Sequence, residues 1–377
     1  MKIINLHIYL SNFTNESRIF KETTSISKLE LADKIIMIGL MTDNLPEFQK
    51  LDEVREIHRV RLFISRFKKS KLTDVFKLIE FSLRVVLKYK KLKPTFVNLH
   101  SLAVLPLSFF FKNKGNKVIY DPHELETERI GMKGLSRRFL KFTEVILIKF
   151  VDATIVVSDP IKDWYVNQYG LKRIIVVRNM PHAIKLGEQK SLLLKNKFEI
   201  PHEHILFIYQ GLLVRGRGIN LLLKVFSSCN SNKHIVFMGY GDEENNILSY
   251  VSKCKNIHFQ PAVNYEHIVE YTSSADIGIH ILEEDKGLSY RYSLPNKFGE
   301  YLISGIPIMV SNHYEYMSKL IHENSIGWSI DSGFENLVSI VNDITFQDLN
   351  DLKKSVEIYK SQIGWEVDEK LYECIYK

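Results

Sequence analysis

Nineteen residues, Ser293 to Ser311 (SLPNKFGEYLISGIPIMVS), hold the types and spacing from which chemistry is most readily read. Pro295 suits the first turn of a helix, where its missing N–H costs nothing, and the free backbone N–H groups of that turn attract anions. Lys297 adds a positive charge at the same end. One turn on, Glu300 is placed to accept both hydroxyls of a ribose whose diphosphate rests on the helix start, so a single nucleotide satisfies both halves. Gly305 then stops the helix, and Ile306 to Val310 reads as the short apolar run of a buried parallel strand. The plainer reading is an ordinary helix–turn–strand unit with a surface Lys and Glu, and the rest of the chain decides between the two.

In open α/β sheets ligands sit outside the carboxyl ends of the strands, so the loops that follow strands are where function is sought. After Ile205–Tyr209 comes Gln210-Gly211-Leu212-Leu213-Val214-Arg215-Gly216-Arg217-Gly218, where backbone at Gly211 can approach a phosphate and Arg215 and Arg217 can clamp it. Gly239-Tyr240-Gly241-Asp242 is a second glycine turn, a weak signal alone. Asp121-Pro122-His123-Glu124 presents an imidazole and two carboxylates on a proline-fixed turn, and Ser11 to Asn15 is a small polar loop. A lone histidine is ordinarily a capping or core residue, but a strand terminus facing a diphosphate-type site favours chemistry for His123, and less so for His100. Glu124, Glu126 and Glu128 equally suit the first turn of a helix, where acids favour the dipole, which leaves Glu124 a secondary candidate.

These loops are positioned by two series of alternating strands and helices. Ile3–Leu10, Lys34–Ile38, Thr95–Leu99, Lys117–Tyr120, Ala153–Val157 and Ile174–Val177 form the first, and Ile205–Tyr209, His234–Met238, Ile257–Phe259, Ile277–Ile281 and Ile306–Val310 the second. The pattern implies two Rossmann-like α/β domains facing each other across a cleft, residues 1–185 and 186–360, divided after Asn179-Met180-Pro181. Residues 361–377, with a helix over Trp365–Tyr376, are expected to pack back on the first domain.

The three cysteines, Cys229, Cys254 and Cys374, are too few and scattered for a disulfide framework or a zinc site, which fits a reducing cytoplasm. The start MKIINLHIYLSNF reads as a first strand rather than a signal peptide, and no apolar stretch is long and uninterrupted enough to span a bilayer. The net charge of +7 is concentrated: residues 59–93 carry twelve Lys and Arg against Asp74 and Glu80. Within them Val75, Phe76, Leu78, Ile79, Leu83, Val86 and Leu87 recur at helical spacing, so the segment reads as a basic amphipathic helix whose apolar stripe faces either an anionic membrane surface or the domain core. No aromatic-interleaved or zinc-finger pattern accompanies the charge, and no nucleic-acid partner is expected.

Together these residues resemble a family-4 retaining glycosyltransferase of the GT-B fold, of the bacterial polysaccharide or lipopolysaccharide type. Glu16-Ser17-Arg18 and its helix resemble the family's opening segment, and Asp121-Pro122-His123-Glu124 matches the place of its active-site histidine. The Gly211–Gly218 loop resembles its diphosphate clamp, Gly239-Tyr240-Gly241 its glycine turn, and Ala275–Ile279 its strand before the donor site. The usual pair of glutamates eight positions apart is reduced to Glu300, because Tyr292 stands in the first position. Asn296, Lys297 and backbone N–H groups are the natural substitutes. The resemblance implies catalytic roles for His123, which would orient the sugar, and for Glu124, and donor binding by Gly211, Arg215, Arg217, Gly241, Asn296, Lys297 and Glu300. No Asp-x-Asp triplet occurs, so transfer without a metal or other cofactor is expected, the cations neutralising the leaving diphosphate. The implied partners are a nucleotide sugar and a glycan acceptor, lipid-linked, met by a cytoplasmic protein peripheral on the inner leaflet. A nucleotide-sugar epimerase of the same fold, or an inactive transferase-like binding partner, are the alternatives.

Overall fold

The computed structural model describes residues 2–42, 44–64, 70–129, 134–183 and 191–377. Packing divides the chain into two units, Met1–Arg178 with Asp368–Lys377, and Asn179–Val367. Arg66, Lys68 and Lys69 of the expected basic surface lie outside the described residues, as does the expected division at about residue 185.

The first unit is built on strands β1 (Ile4–Ile8), β2 (Lys34–Leu40), β3 (Phe48–Lys50), β4 (Arg55–Val60), β5 (Phe96–Leu99), β6 (Lys117–Tyr120), β7 (Ala153–Val156) and β8 (Ile174–Val176). They are ordered β3-β4-β2-β1-β5-β6-β7-β8, and every pair is parallel except the edge pair β3–β4. Among the described residues five helices pack on it: α1 (Ser17–Lys28), α2 (Lys71–Tyr89), α3 (Leu107–Phe111), α4 (Gly134–Leu147) and α5 (Asp159–Tyr169). Right-handed crossovers set their sides. The step from β1 to β2 runs one way along the sheet and those from β4 to β5 and onward to β8 run the other, so α1 covers one face and α2 to α5 the other. The last ten residues join the α1 side, where Glu369 accepts from Ser25 Oγ and Lys28 Nζ, each at 2.8 Å, and the Tyr376 hydroxyl donates to Asn98 at 2.8 Å. The single helix expected over Trp365–Tyr376 is instead three short turns, Trp365–Asp368, Glu369–Tyr372 and Glu373–Tyr376.

Two features of this unit depart from the sequence reading. β3 and β4 were not expected, because Arg55-Glu56-Ile57-His58-Arg59-Val60 carries three charges and a histidine against two apolar residues. One of them, Arg59, is nonetheless buried: its guanidinium donates to the carbonyls of Asn12 and Pro46 and to Gln49 Oε1 at 2.7–2.9 Å, so it adds nothing to the exposed charge. On α2, Phe81, Val85 and Tyr89 turn to the core at 0–1% exposure, whereas Leu72, Val75, Phe76, Ile79, Leu83 and Leu87 stand 46–69% exposed. At 100° per residue the two sets lie on opposite sides of the helix. The stripe read as one surface is therefore mainly the outer one.

The second unit holds β9 (Ile205–Leu212), β10 (Lys233–Tyr240), β11 (Ile257–Pro261), β12 (Ile277–His280), β13 (Ile308–Ser311) and β14 (Gly327–Ile330), all parallel, ordered β11-β10-β9-β12-β13-β14. Alternate residues feed two cores, as the pleat requires. Leu206, Ile208, Val236 and Met238 join Phe298, Tyr301 and Leu302 on one face, and Phe207, Tyr209, Phe237, Ile277 and Ile279 join Leu222, Val225 and Phe226 on the other. Burial on both faces is why these strands read as continuous apolar runs. β14, Gly-Trp-Ser-Ile, is half-buried at the edge and carries no such signal.

Candidate active site

In the second unit the helix Asn296–Ile303 begins beside the carboxyl ends of β9 and β12. Pro295 is its N-cap in extended conformation rather than its first helical residue, and no side chain caps that end. The helix is held from below: the Tyr301 ring lies where a Cβ on Gly278 would be, 2.2 Å away, and its hydroxyl accepts from the Gln210 N–H at 3.1 Å and donates to the Ile279 carbonyl at 3.3 Å. That contact ties helix, β9 and β12 into one frame. Gln210 also donates to Glu300 at 2.6 Å and accepts from Thr272 at 2.7 Å, which fixes the carboxylate from beneath.

Lys297 is buried at 8% exposure with its Nζ 4.1 Å from the Tyr209 ring centroid and bound to no hydrogen-bond partner. Gly211, in the left-handed region at φ +111°, lies against it, and a Cβ there would sit 3.8 Å from Nζ. Burial, and then the neighbouring Arg217 guanidinium, pull the Lys297 ammonium down to about 7. His280, at the end of β12, is buried and stacked on Tyr314 at 4.5 Å, with its Nδ1 also unpartnered. Burial, then Lys297 and Arg217, hold its imidazole well below the usual range. A dry ammonium, an imidazole and a guanidinium thus crowd one strand end, an arrangement that repels cations and that a polyanion relieves.

Three other expected donor residues make contacts of a different kind. Arg215 projects into solvent with its Nε 3.3 Å from Glu243. Gly241 serves packing: a Cβ there would meet the Leu213 carbonyl at 2.3 Å, and its N–H already donates to Glu244 at 2.7 Å. Asn296 is exposed and accepts from the Asn179 amide at 2.6 Å.

His123 and Glu124 belong to the first unit, on the loop after β6. Glu124 is paired with Arg129 at 2.7 Å. His123 is a quarter exposed at the end of a buried polar chain, its Nε2 3.3 Å from His100 Nδ1. The network orients that chain. Asn5 donates to His7 Nε2 at 3.0 Å, His7 Nδ1–H to His100 Nε2 at 2.9 Å, and His100 Nδ1–H to Asp121 at 3.1 Å. Arg18 then binds Asp121 through two nitrogens, at 2.9 and 3.3 Å. Burial pushes the Asp121 carboxyl up, but Arg18, His100 and His123 more than offset it and hold it well below the carboxylate range. Among the described residues, His7, Glu22 and His100, and His100, Asp121 and His123, come close enough to hold a metal ion. In this hydrogen-bond pattern neither His7 nor His100 keeps a free lone pair, and Arg18 adds positive charge beside them.

Glu126 emerges as more than a helix-start acid. Its carboxylate accepts from the Leu102 N–H at 2.9 Å, and burial raises it to about 7. Because the unfolded carboxyl titrates near 4.5, the folded protein loses stability as pH rises from about 4.5 to 7. Glu126→Gln, which keeps the shape of the protonated acid, is expected to gain roughly 2 kcal/mol at pH 8 and almost nothing at pH 4.5. Urea unfolding at the two pH values reads this, and an equal effect at both would contradict it. The signals for Arg18, Gln210, His280 and Glu126 are absent from local sequence, since each acquires its role from a partner distant in the chain.

Comparison with known proteins agrees with this architecture. Residues 224–365 match the model of the "Glucosyltransferase 3-like, C-terminal domain" family. No curated protein sequence matches the chain. HepE from Anabaena, solved with UDP and glucose, superposes with a TM-score of 0.69 at 13% identity over 99% of both chains. Sucrose-phosphate synthase from Thermosynechococcus elongatus does so at 0.71 and 14% identity, covering 100% of this chain and 98% of its own. A glycosyltransferase from Rickettsia africae gives 0.71 and 15% over the same shares. Two parallel sheets flanked by helices, matched along their whole length by such enzymes, are the GT-B glycosyltransferase fold.

Proposed function

We propose that the protein is a retaining, metal-independent glycosyltransferase that moves a sugar from a nucleotide donor to a glycan acceptor, lipid-linked, in bacterial surface polysaccharide synthesis at the inner face of the cytoplasmic membrane. The observation that carries this reading is the buried Lys297 ammonium, bound to no hydrogen-bond partner, beside Arg217 and His280 and one helical turn from a Glu300 carboxylate held by Gln210. A nucleoside diphosphate fits that pair of features: its phosphates take the cations and the helix N–H groups, and its ribose hydroxyls donate to Glu300. HepE is solved with UDP-glucose, so UDP sugars are the first donors to try.

In the reaction the bond between the anomeric carbon and the phosphate oxygen breaks and the nucleoside diphosphate leaves with the electron pair. Lys297 and Arg217 stabilise the charge that grows on it. The acceptor hydroxyl attacks from the face of the leaving group and its proton passes to the departing phosphate oxygen, which retains configuration. His123, oriented through the Asp121–His100 chain, positions the sugar.

The test is release of nucleoside diphosphate from a panel of nucleotide sugars, with EDTA present and an undecaprenyl-diphosphate-sugar acceptor. Glu300→Ala removes the charged acceptor of the ribose hydroxyls, and kcat/KM is expected to fall at least about 10²-fold, with Arg217→Ala about 10²-fold. Turnover abolished by EDTA would overturn the metal-independent reading, and nucleotide binding without any turnover would favour an inactive binding partner.

A further inference from the structure

The outer surface of the first unit carries an unusual amount of apolar side chain. The exposed α2 residues, Leu72 to Leu87, form a stripe along the whole helix. α4 presents a second stripe at helical spacing, Leu135, Phe139, Phe142 and Ile146, exposed by 81, 68, 64 and 42%. Between them α3 exposes Phe109 and Phe110. The three helices are neighbours on one face of the sheet: α2 packs on α3, and the Phe109 ring meets Phe150, in the turn that follows α4, at 5.3 Å. Soluble monomers seldom expose a continuous apolar patch beyond a few hundred Å² unless something binds there.

The charge around this face identifies the occupant. Residues 71–93, 107–114 and 134–150 hold thirteen Lys and Arg against three acidic residues, and from outside these spans Glu128 pairs with Arg137 and Lys141 and Asp152 with Lys112, which leaves the face basic. Of those acids Glu144 is buried, bonded by Tyr120, Tyr165 and Tyr169, and Glu80 accepts from the N–H groups of Phe63 and Ile64 and from Arg84. At one end of the α2 stripe a hollow of about 460 Å³ is lined by Arg61, Arg84 and Lys88 with Val60 and Leu87, and by a single acid, Glu47. Aromatic and leucine side chains projecting from a basic surface match the boundary between acyl chains and anionic headgroups. A protein partner of ordinary composition would answer the apolar stripes without requiring the charge.

We infer that the α2–α3–α4 face seats the protein on an anionic lipid bilayer by inserting the Phe and Leu side chains of α2, α3 and α4 among the acyl chains, the basic residues engaging the headgroup phosphates. The inference concerns this surface alone and does not depend on the transferase reading, because lipid binding is measured without substrate. It replaces adsorption by a basic helix with insertion by three helices.

The experiment is co-sedimentation of the full-length protein with phosphatidylglycerol–phosphatidylcholine vesicles, against phosphatidylcholine alone. Wild type is expected to bind the mixed vesicles and to keep much of that binding at about 0.5 M salt, since apolar insertion is not screened. Leu83→Ser with Phe139→Ser and Phe142→Ser is expected to bind at least about tenfold more weakly with an unchanged circular dichroism spectrum, because those side chains lie outside the core. Phe142→Trp, whose emission shifts to the blue on insertion, reads the same contact from a variant that keeps the apolar surface. Three results would overturn the inference: no vesicle binding by wild type, binding that salt removes entirely and the serine variant retains, or a wild-type dimer that the serine variant dissociates, which would give the face to a second copy of the chain.

Discussion

Lys297→Met is expected to lose nucleotide binding by two to three orders of magnitude while making the protein more stable. Both effects follow from one fact. The ammonium is buried without a hydrogen-bond partner, and burial with Arg217 alongside has lowered it from the ordinary lysine value to about 7. The folded state therefore disfavours the proton: stability is unaffected above the unfolded pKa near 10.5 and declines as pH falls towards 7. Replacing the group by a neutral side chain of similar length removes that penalty, a gain on the order of 1–4 kcal/mol at pH 7. A bound diphosphate acts in the opposite sense, since it stabilises the charged form and draws a proton onto Lys297. Wild-type affinity for UDP should then fall as pH rises above about 7, by up to about tenfold per unit, and the Met variant should show no such slope. Calorimetric titration between pH 6.5 and 9 with thermal denaturation of both proteins reads all three quantities. A variant that binds normally, or a wild type whose affinity is flat over that range, would remove Lys297 from the site.

Asp121→Ala should be the most damaging change in the first unit. Arg18 is 4% exposed, and apart from the two contacts to Asp121 its guanidinium donates to the Val177 carbonyl at 2.8 Å. Deleting the carboxylate leaves that charge buried without its hydrogen-bonded counter-ion, which costs about 3–5 kcal/mol. The His100 Nδ1–H loses its acceptor at the same time. For a unit of this size a Tm fall of roughly 6–20 °C is expected. The loss should shrink in acid, because the Asp121 carboxyl is held below its unfolded value and its contribution disappears as pH falls through the folded one. Arg18→Met combined with Asp121→Leu should recover much of the stability, as the charge leaves with its partner. A single-variant loss below about 1 kcal/mol by urea unfolding would show that water reaches Arg18.

Much of the fold was legible because parallel strands buried on both faces must be apolar throughout. Lys117–Tyr120 falls where it was read, and β1, β2, β5, β7 and β8 to β13 differ from the expected spans by at most three residues at either end. β3 and β14 were missed because edge strands need bury only one face and carry polar residues freely, and β4, one strand in from the edge, because Arg55, Glu56, His58 and Arg59 break its apolar run. At the candidate site, the residues on continuous local signals, Gly211, Arg217, Lys297 and Glu300, do come to one strand end. Arg215 and Gly241 look the same in sequence and differ only in where the backbone carries them: one meets Glu243 in solvent, the other packs on Leu213.

The sequence alone determined the class of architecture and the position of the helix that follows Pro295, since both depend on hydrophobic period, proline and glycine placed within a few residues of each other. The tertiary structure alone decided which groups lose their water. It buried Lys297 beside Arg217 and His280, joined Arg18 to Asp121 across 103 positions, and turned Phe81, Val85 and Tyr89 of α2 to the core while its other stripe faced out. Desolvation depends on what packs over a side chain, and those neighbours arrive from parts of the chain that no local pattern specifies.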